Sequence, residues 1–210
     1  MIKKYLKVLI VTSVVLLLPI LAGVILWEQL PEQIPTHWNL QGEVDSWSSK
    51  AFAVFGLPLI LLAVQWLCAF ATCADPKKAN HSPKIMHMTL WIVPMIALVL
   101  TVVMYSTAMG TSIPVEMIVP LILGLAFTII GNYLPKCKQS YTIGIKLPWT
   151  LNSEENWNKT HRFAGRIWLV CGLVIMVSAF VGGIGILIAA AAVMVLMPCI
   201  YSYILHRKGI

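Results

Sequence analysis

The run LKVLIVTSVVLLLPILAGVILW, from Leu6 to Trp27, carries a single charge, Lys7, near its start. At about 1.5 Å per residue it is long enough to cross the hydrocarbon core of a bilayer, which takes roughly 20 residues. Backbone groups in lipid must find their hydrogen bonds within their own segment, so the run reads as a helix. Five more runs of this kind follow, at about Ala51 to Cys73, His87 to Met109, Val115 to Leu134, Phe163 to Val181 and Ile184 to Leu205. The fold class is therefore an all-α integral membrane protein with six transmembrane helices. We divide it into an N-terminal two-span region, 1–86, and a four-span region, 87–210.

Composition agrees. Of 210 residues, 59% are hydrophobic and 11% charged, against roughly 25% charged in a soluble domain. An even number of spans puts both termini on one side, and charge decides which. Lys3, Lys4, Lys7, Lys77, Lys78, Lys84, Lys136, Lys138, Lys146, Lys159, Arg162, Arg166, Arg207 and Lys208 fall on the side of the termini, and only Lys50 falls opposite. The positive-inside rule then expects both termini and the 135–162 loop in the cytoplasm, with Glu28, Glu32, Glu43, Asp45 and Glu116 outside. The net charge of +7 reports this topology and an affinity for anionic lipid, with no direct nucleic-acid partner.

Lys3, Lys4 and Lys7 ahead of an apolar run mimic a signal peptide, but no A-x-A-like site follows and no cysteine follows Leu21-Ala22-Gly23, so the run is expected to stay as the first span. Cys68, Cys73, Cys137, Cys171 and Cys199 have no CxxC spacing and are expected to pack as small hydrophobes. Pro19, Pro58, Pro94, Pro120 and Pro198 predict kinks whose freed carbonyls neighbouring helices re-satisfy. Gly124 and Gly131 on the fourth span, and Gly165, Gly172 and Ala179 on the fifth, recur every seven residues and predict close approach of these two helices. A hairpin loop would then cap the pair. No charged residue sits in mid-membrane, which disfavours an ion-coupled carrier. Gln65, the polar side chain deep in a span, is expected to make an interhelical hydrogen bond.

Between the first two spans, Pro31 and Pro35 stiffen the chain, and Asn39 to Gly42 has turn composition between Thr36-His37-Trp38 and Glu43-Val44-Asp45, which predicts a small hairpin. Trp27, Trp38 and Trp47 suit the headgroup region. His37, Glu43 and Asp45 could converge on a metal, but three polar residues near a turn are ordinarily solvated, and no metal site is assigned. Leu30 to Asp45 resembles a small domain of unknown function with the pattern Leu-Pro-x-x-Ile-Pro-x-His-Trp-Asn-x-x-Gly-x-x-Asp, found in bacterial membrane proteins.

Pro135 ends the fourth span because it pushes its predecessor out of the helical region. Gly144 permits a sharp turn, and Pro148-Trp149 restricts the chain while placing a large ring at the interface. Asn152 with Glu155 makes a capping-box-like start to a helix from about Ser153 that runs into the fifth span. On it Trp157, His161, Ala164 and Trp168 share one face, while Lys159, Arg162 and Arg166 form a basic stripe.

Gly131-Asn132-Tyr133-Leu134-Pro135-Lys136, Gly144-Ile145-Lys146-Leu147-Pro148-Trp149-Thr150-Leu151 and Glu155-Asn156-Trp157-x-Lys159-Thr160-His161-Arg162-x-x-Gly165 resemble the signature of the SdpI family of bacterial membrane proteins. Lys146 and Leu147 stand where Arg and Thr are frequent, and a lysine would make a bidentate contact less well. The resemblance implies immunity against a secreted antimicrobial (SDP-type) peptide toxin, and in the founding member also retention of a cytoplasmic transcriptional repressor at the membrane. Its signature marks Asn132, Lys146, Pro148, Trp149, Thr150, Glu155, Trp157, Lys159, His161 and Arg162 on the inner side as binding or motif candidates, and the reading of the outer loop adds His37, Trp38, Glu43 and Asp45. Expected partners are membrane lipids, the toxin on the outer face and that repressor. The alternatives are a membrane scaffold recruiting a soluble regulator through the basic stripe, or a membrane-embedded enzyme or permease using His161, Glu154 or Glu155. Without a nucleophile elbow, HExxH or phosphate loop, the protein is not expected to be an enzyme or to carry a cofactor.

Overall fold

The computed structural model describes residues 2–39, 41–111 and 113–210. Leu40, in the turn expected at 39–42, and Ser112, in the loop expected at 110–114, lie outside the described residues. In chain order the elements are α1 (Ile2–Ile25), β1 (Gln33–Trp38), β2 (Val44–Ser49), a π-helical turn (Phe52–Gly56), α2 (Leu57–Ala74), α3 (Pro83–Ala108), α4 (Val115–Tyr133), α5 (Pro148–Asn152), α6 (Glu154–Val181) and α7 (Ile184–Arg207). Among the described residues six helices are long and apolar enough to cross a membrane. They coincide with the six expected spans, and the protein is an all-α, multi-pass membrane protein with one small hairpin. The chain folds as two compact units, Met1–Phe70 with Met86–Glu116, and Ala71–Ile85 with Met117–Ile210.

In the first unit, β1 and β2 pair antiparallel, with Ile34 opposite Ser48 and Trp38 opposite Val44. Ile34, fully buried, drops from the hairpin into a cluster with Leu30, Ala53, Val54, Met104 and Tyr105. Lys50, which follows β2, is buried: its ammonium donates to the Trp27 carbonyl at 3.2 Å, pairs with Glu32 at 3.1 Å and lies 5.0 Å from the Trp27 ring centre. A buried ammonium needs this set of partners to offset its desolvation. Between α1 and α2, Gln65 Nε2 donates to Thr12 Oγ1 at 2.7 Å and Trp66 Nε1 to Ser13 Oγ at 3.1 Å. Gln65 thus makes the interhelical bond expected of it. Apolar burial gains nothing against lipid, so such bonds, each on the order of 1 kcal/mol, carry weight here.

In the second unit the two glycine stripes meet. A Cβ on Gly124 would stand 2.6 Å from the Gly172 carbonyl oxygen, and one on Gly131 2.9 Å from that of Gly165. The reciprocal positions are as tight, 2.7 Å from Gly172 to the Gly124 oxygen and from Gly165 to the Gly131 oxygen. Any side chain would drive α4 and α6 apart. The tight turn at Gly182-Gly183, both with positive φ, returns the chain into α7. There Cys171 and Ile175 pack against Ala190 and Met194. Pro198 lacks the N–H that would bond the Met194 carbonyl, four residues back. Trp168 supplies the donor: its Nε1 reaches that oxygen at 3.0 Å.

Candidate functional site

The polar segment after α4 is assembled on the first turns of α6. The N-cap of α6 is Ser153, whose Oγ accepts the Asn156 N–H at 3.1 Å. This corrects the capping box expected from Asn152 and Glu155. Pro148 opens the separate short helix α5, which uses Asn152 as its last residue, and Glu155 pairs forward with Lys159 at 2.7 Å. Glu154 and Glu155 remain in the first turn, where the helix dipole favours them.

Trp157 and His161, one turn apart, stack with ring centres 4.0 Å apart and are almost wholly buried. Trp157 Nε1 donates to the Cys137 carbonyl at 2.8 Å. His161 Nδ1 lies 2.8 Å from the Trp157 carbonyl, and its Nε2 accepts the Ile145 N–H at 2.9 Å. A carbonyl can only accept and an amide N–H can only donate, so the imidazole is neutral with its proton on Nδ1. Gly144 crosses above this stack with φ +124°, and a Cβ there would stand 2.6 Å from both His161 Nε2 and the Trp157 ring. Only glycine fits both the space and the conformation.

Two further side chains shape the segment. Thr150, fully buried at the third position of α5, accepts the Leu147 N–H at 2.9 Å, and its own proton faces the carbonyls of Ile145 and Leu147. Trp149 donates to Ser202 Oγ at 3.0 Å and stacks on His206 of α7. Asn156, also buried, donates to the Ser202 carbonyl and accepts from Thr160. The Trp149 ring, expected at the interface, is tied to α7.

A second loop, 75–82, completes the site. The Asp75 side chain, fully buried, accepts from the N–H of Lys77 at 2.7 Å, Tyr141 at 2.9 Å and Thr142 at 3.0 Å, and from the Thr142 hydroxyl at 2.7 Å. His81 Nε2 stands 3.4 Å from the same carboxylate. Burial pushes the Asp75 carboxyl up, but the Thr142 hydroxyl, the amides of Lys77 and Tyr141 and the neighbouring His81 together outweigh it and hold it below its ordinary value. Gln139 is satisfied at both ends: Lys77 Nζ donates to its Oε1, and its Nε2 donates to the carbonyls of Thr150 and Leu151 at 2.8 and 2.9 Å. Asn80 Nδ2 adds a bond to the Gln139 carbonyl at 2.7 Å. The two loops form one knot. Burial pushes the Cys137 thiol beside it up to about 11, so it stays protonated and inert.

The candidate residues separate accordingly. Lys146, Thr150, Trp157 and His161 belong to the knot, with Pro148 and Trp149 on its α7 side. Arg162 is exposed on α6, Lys159 is half-exposed beside Glu155, and Asn132 is exposed on α4. His37, Trp38, Glu43 and Asp45 lie on the hairpin of the other unit. There His37 Nδ1 stands 2.5 Å from Asp45 Oδ1, while Glu43 accepts from Asn39 at 3.1 Å and Trp38 packs against the hairpin core. Glu43 is thus engaged apart from the His37–Asp45 pair, and no group of three metal-ligating side chains forms among the described residues. Asp75, Gln139 and Asn156 were absent from the sequence-derived set. Asp75 had a signal, as the sole carboxylate in the basic stretch between the second and third spans.

Residues 136–202 match the SdpI/YfhL protein family, and residues 14–62 match a domain of unknown function, DUF1648. The chain is 26% identical over 202 residues to Immunity protein SdpI of Bacillus subtilis (strain 168), across 95% of this chain and 96% of that one. No solved structure matches it. The matched segment takes in most of the knot and the helices that carry it, and the chain is a multi-pass membrane protein similar to the SdpI/YfhL family over that segment and to DUF1648 near its N-terminus.

Proposed function

We propose that this protein is a non-enzymatic membrane immunity protein, protecting a bacterium against a secreted antimicrobial peptide of the SDP type. The observation that carries the reading is the near full-length likeness to Immunity protein SdpI. The closed chemistry of the knot supports it: His161 has both ring nitrogens engaged and Asp75 accepts four hydrogen bonds, so neither is free to act as an acid or base. In this reading the termini and the knot are cytoplasmic by the positive-inside rule. The hairpin is then external, with Trp47, Glu43 and Asp45 exposed to meet the peptide. The knot holds α4, α6 and α7 in the arrangement that resists it.

The test is expression in a strain killed by the SDP-type peptide, with membrane insertion verified by blot. Survival at doses that kill the parent supports the reading, and unchanged killing rejects it. Retention of a cytoplasmic repressor is a separate activity of the same protein, for which the exposed Arg162 and Arg166 are the natural contact. Co-purification of such a regulator, lost on Arg162→Ala with Arg166→Ala, tests that role independently of survival.

A further inference from the structure

The second unit bears all its charge at one end. Eleven cations (Lys77, Lys78, Lys84, Lys136, Lys138, Lys146, Lys159, Arg162, Arg166, Arg207 and Lys208) share it with three carboxylates. Of these, Asp75 is buried and Glu155 is paired with Lys159. The turn at the other end, 181–184, has no charge.

Within that end one patch is built. Tyr141 is 48% exposed, and its N–H is held by the buried Asp75 carboxylate. Lys77 Nζ is fixed to the Gln139 side chain and stands 5.5 Å from the Tyr141 ring centre. Lys146 Nζ donates to the carbonyl of Thr142, the residue after Tyr141, at 3.3 Å, and it remains exposed. Lys138, exposed beside Gln139, adds a third ammonium. Two cations are thus tethered close to an exposed tyrosine, Lys77 by its ring and Lys146 at the carbonyl of the next residue. The carboxylate in reach points inward and has its lone pairs occupied.

We infer that Lys77, Lys138 and Lys146 around Tyr141 form a binding site for the phosphodiester headgroup of an anionic lipid. Ammonium groups held in place lose little freedom on taking an anion, and a tyrosine at headgroup depth has one wet and one apolar end. The loop joins the ends of α4 and α6, so the patch sits at the membrane boundary, where such headgroups are found. This inference is independent of the immunity reading.

Native mass spectrometry of the full chain released from mixed micelles tests it, with phosphatidylglycerol, with phosphatidylcholine, and with phosphatidylcholine plus inorganic phosphate. The expected result is retention of phosphatidylglycerol at concentrations where phosphatidylcholine is lost. Lys138→Ala with Lys146→Ala should weaken retention on the order of tenfold, and Lys138→Arg with Lys146→Arg should preserve it. Both lysines are exposed, so the folded chain should tolerate either pair. Equal retention of the two lipids, or of phosphatidylglycerol by wild type and the alanine pair, would overturn the proposal. Displacement of phosphatidylglycerol by millimolar phosphate would also overturn it, by identifying a free anion as the ligand.

Discussion

The Thr142 hydroxyl donates to the Asp75 carboxylate at 2.7 Å across 67 residues of sequence, and this contact joins the loop after α2 to the loop before α5. It is one of four hydrogen bonds that converge on a carboxylate with no exposed side-chain surface. Asp75→Ala would leave buried donors unpaired and is expected to destabilise the second unit by on the order of 3 kcal/mol. Glu154→Gln, on an exposed position of α6, should change stability by less than about 0.5 kcal/mol. Thermal unfolding in detergent measures both.

Asp75 also sets an acid limit. Its folded pKa lies below the ordinary 3.8, so its contribution is complete above the unfolded value and is lost as pH falls through the folded one. Unfolding temperature should therefore lose an Asp75-dependent increment below about pH 4. Above that pH, the gap between wild type and Asp75→Asn should be constant.

The neutral form of His161 follows from what its two nitrogens face. Nitrogen-15 NMR at neutral pH should show a protonated Nδ1 and a bare Nε2. A protonated Nε2 would contradict the bond from the Ile145 amide.

Glycine substitution should separate a position of close helix approach from one that faces open space. Gly172→Ala places a methyl 2.5 Å from Thr128 Oγ1 and 2.7 Å from the Gly124 carbonyl oxygen, and should lower stability by about 2 kcal/mol or more through helix separation. Gly185→Ala meets nothing within 4 Å and should be neutral or slightly stabilising. Equal effects at the two positions would contradict helix contact through the stripe.

At the Trp168–Met194 bond the expected result is non-additivity. Trp168→Phe leaves the Met194 carbonyl unpaired and should cost about 1 kcal/mol. Pro198→Ala restores a backbone N–H for that carbonyl, so in its presence the cost of Trp168→Phe should shrink. A double-mutant cycle in unfolding free energy measures the difference.

These contacts also mark what could be read from residues alone. The six spans, the Gly124/Gly131 and Gly165/Gly172 contact, and the face of Trp157, His161 and Ala164 follow from length and period, which are local properties. The start of α6 was missed by one residue because Asn152, Ser153 and Glu155 all carry capping chemistry. Only the placement of α5 assigns the cap to Ser153. Asp75 could not be paired in advance, since three of its four hydrogen bonds come from the backbone amides of Lys77, Tyr141 and Thr142, which side-chain types do not advertise. The Trp168–Met194 bond was half legible: Pro198 announced a freed carbonyl, but not which neighbour would reach it.

The most direct measurement is the dose of SDP-type peptide needed to kill a sensitive strain expressing the wild-type chain or Asp75→Ala, at matched membrane levels. Wild type is expected to raise the lethal dose, and Asp75→Ala to lose most of that protection because the knot is opened. A lethal dose unchanged by wild-type protein would contradict the immunity function, and full protection by Asp75→Ala would contradict the role assigned to the knot.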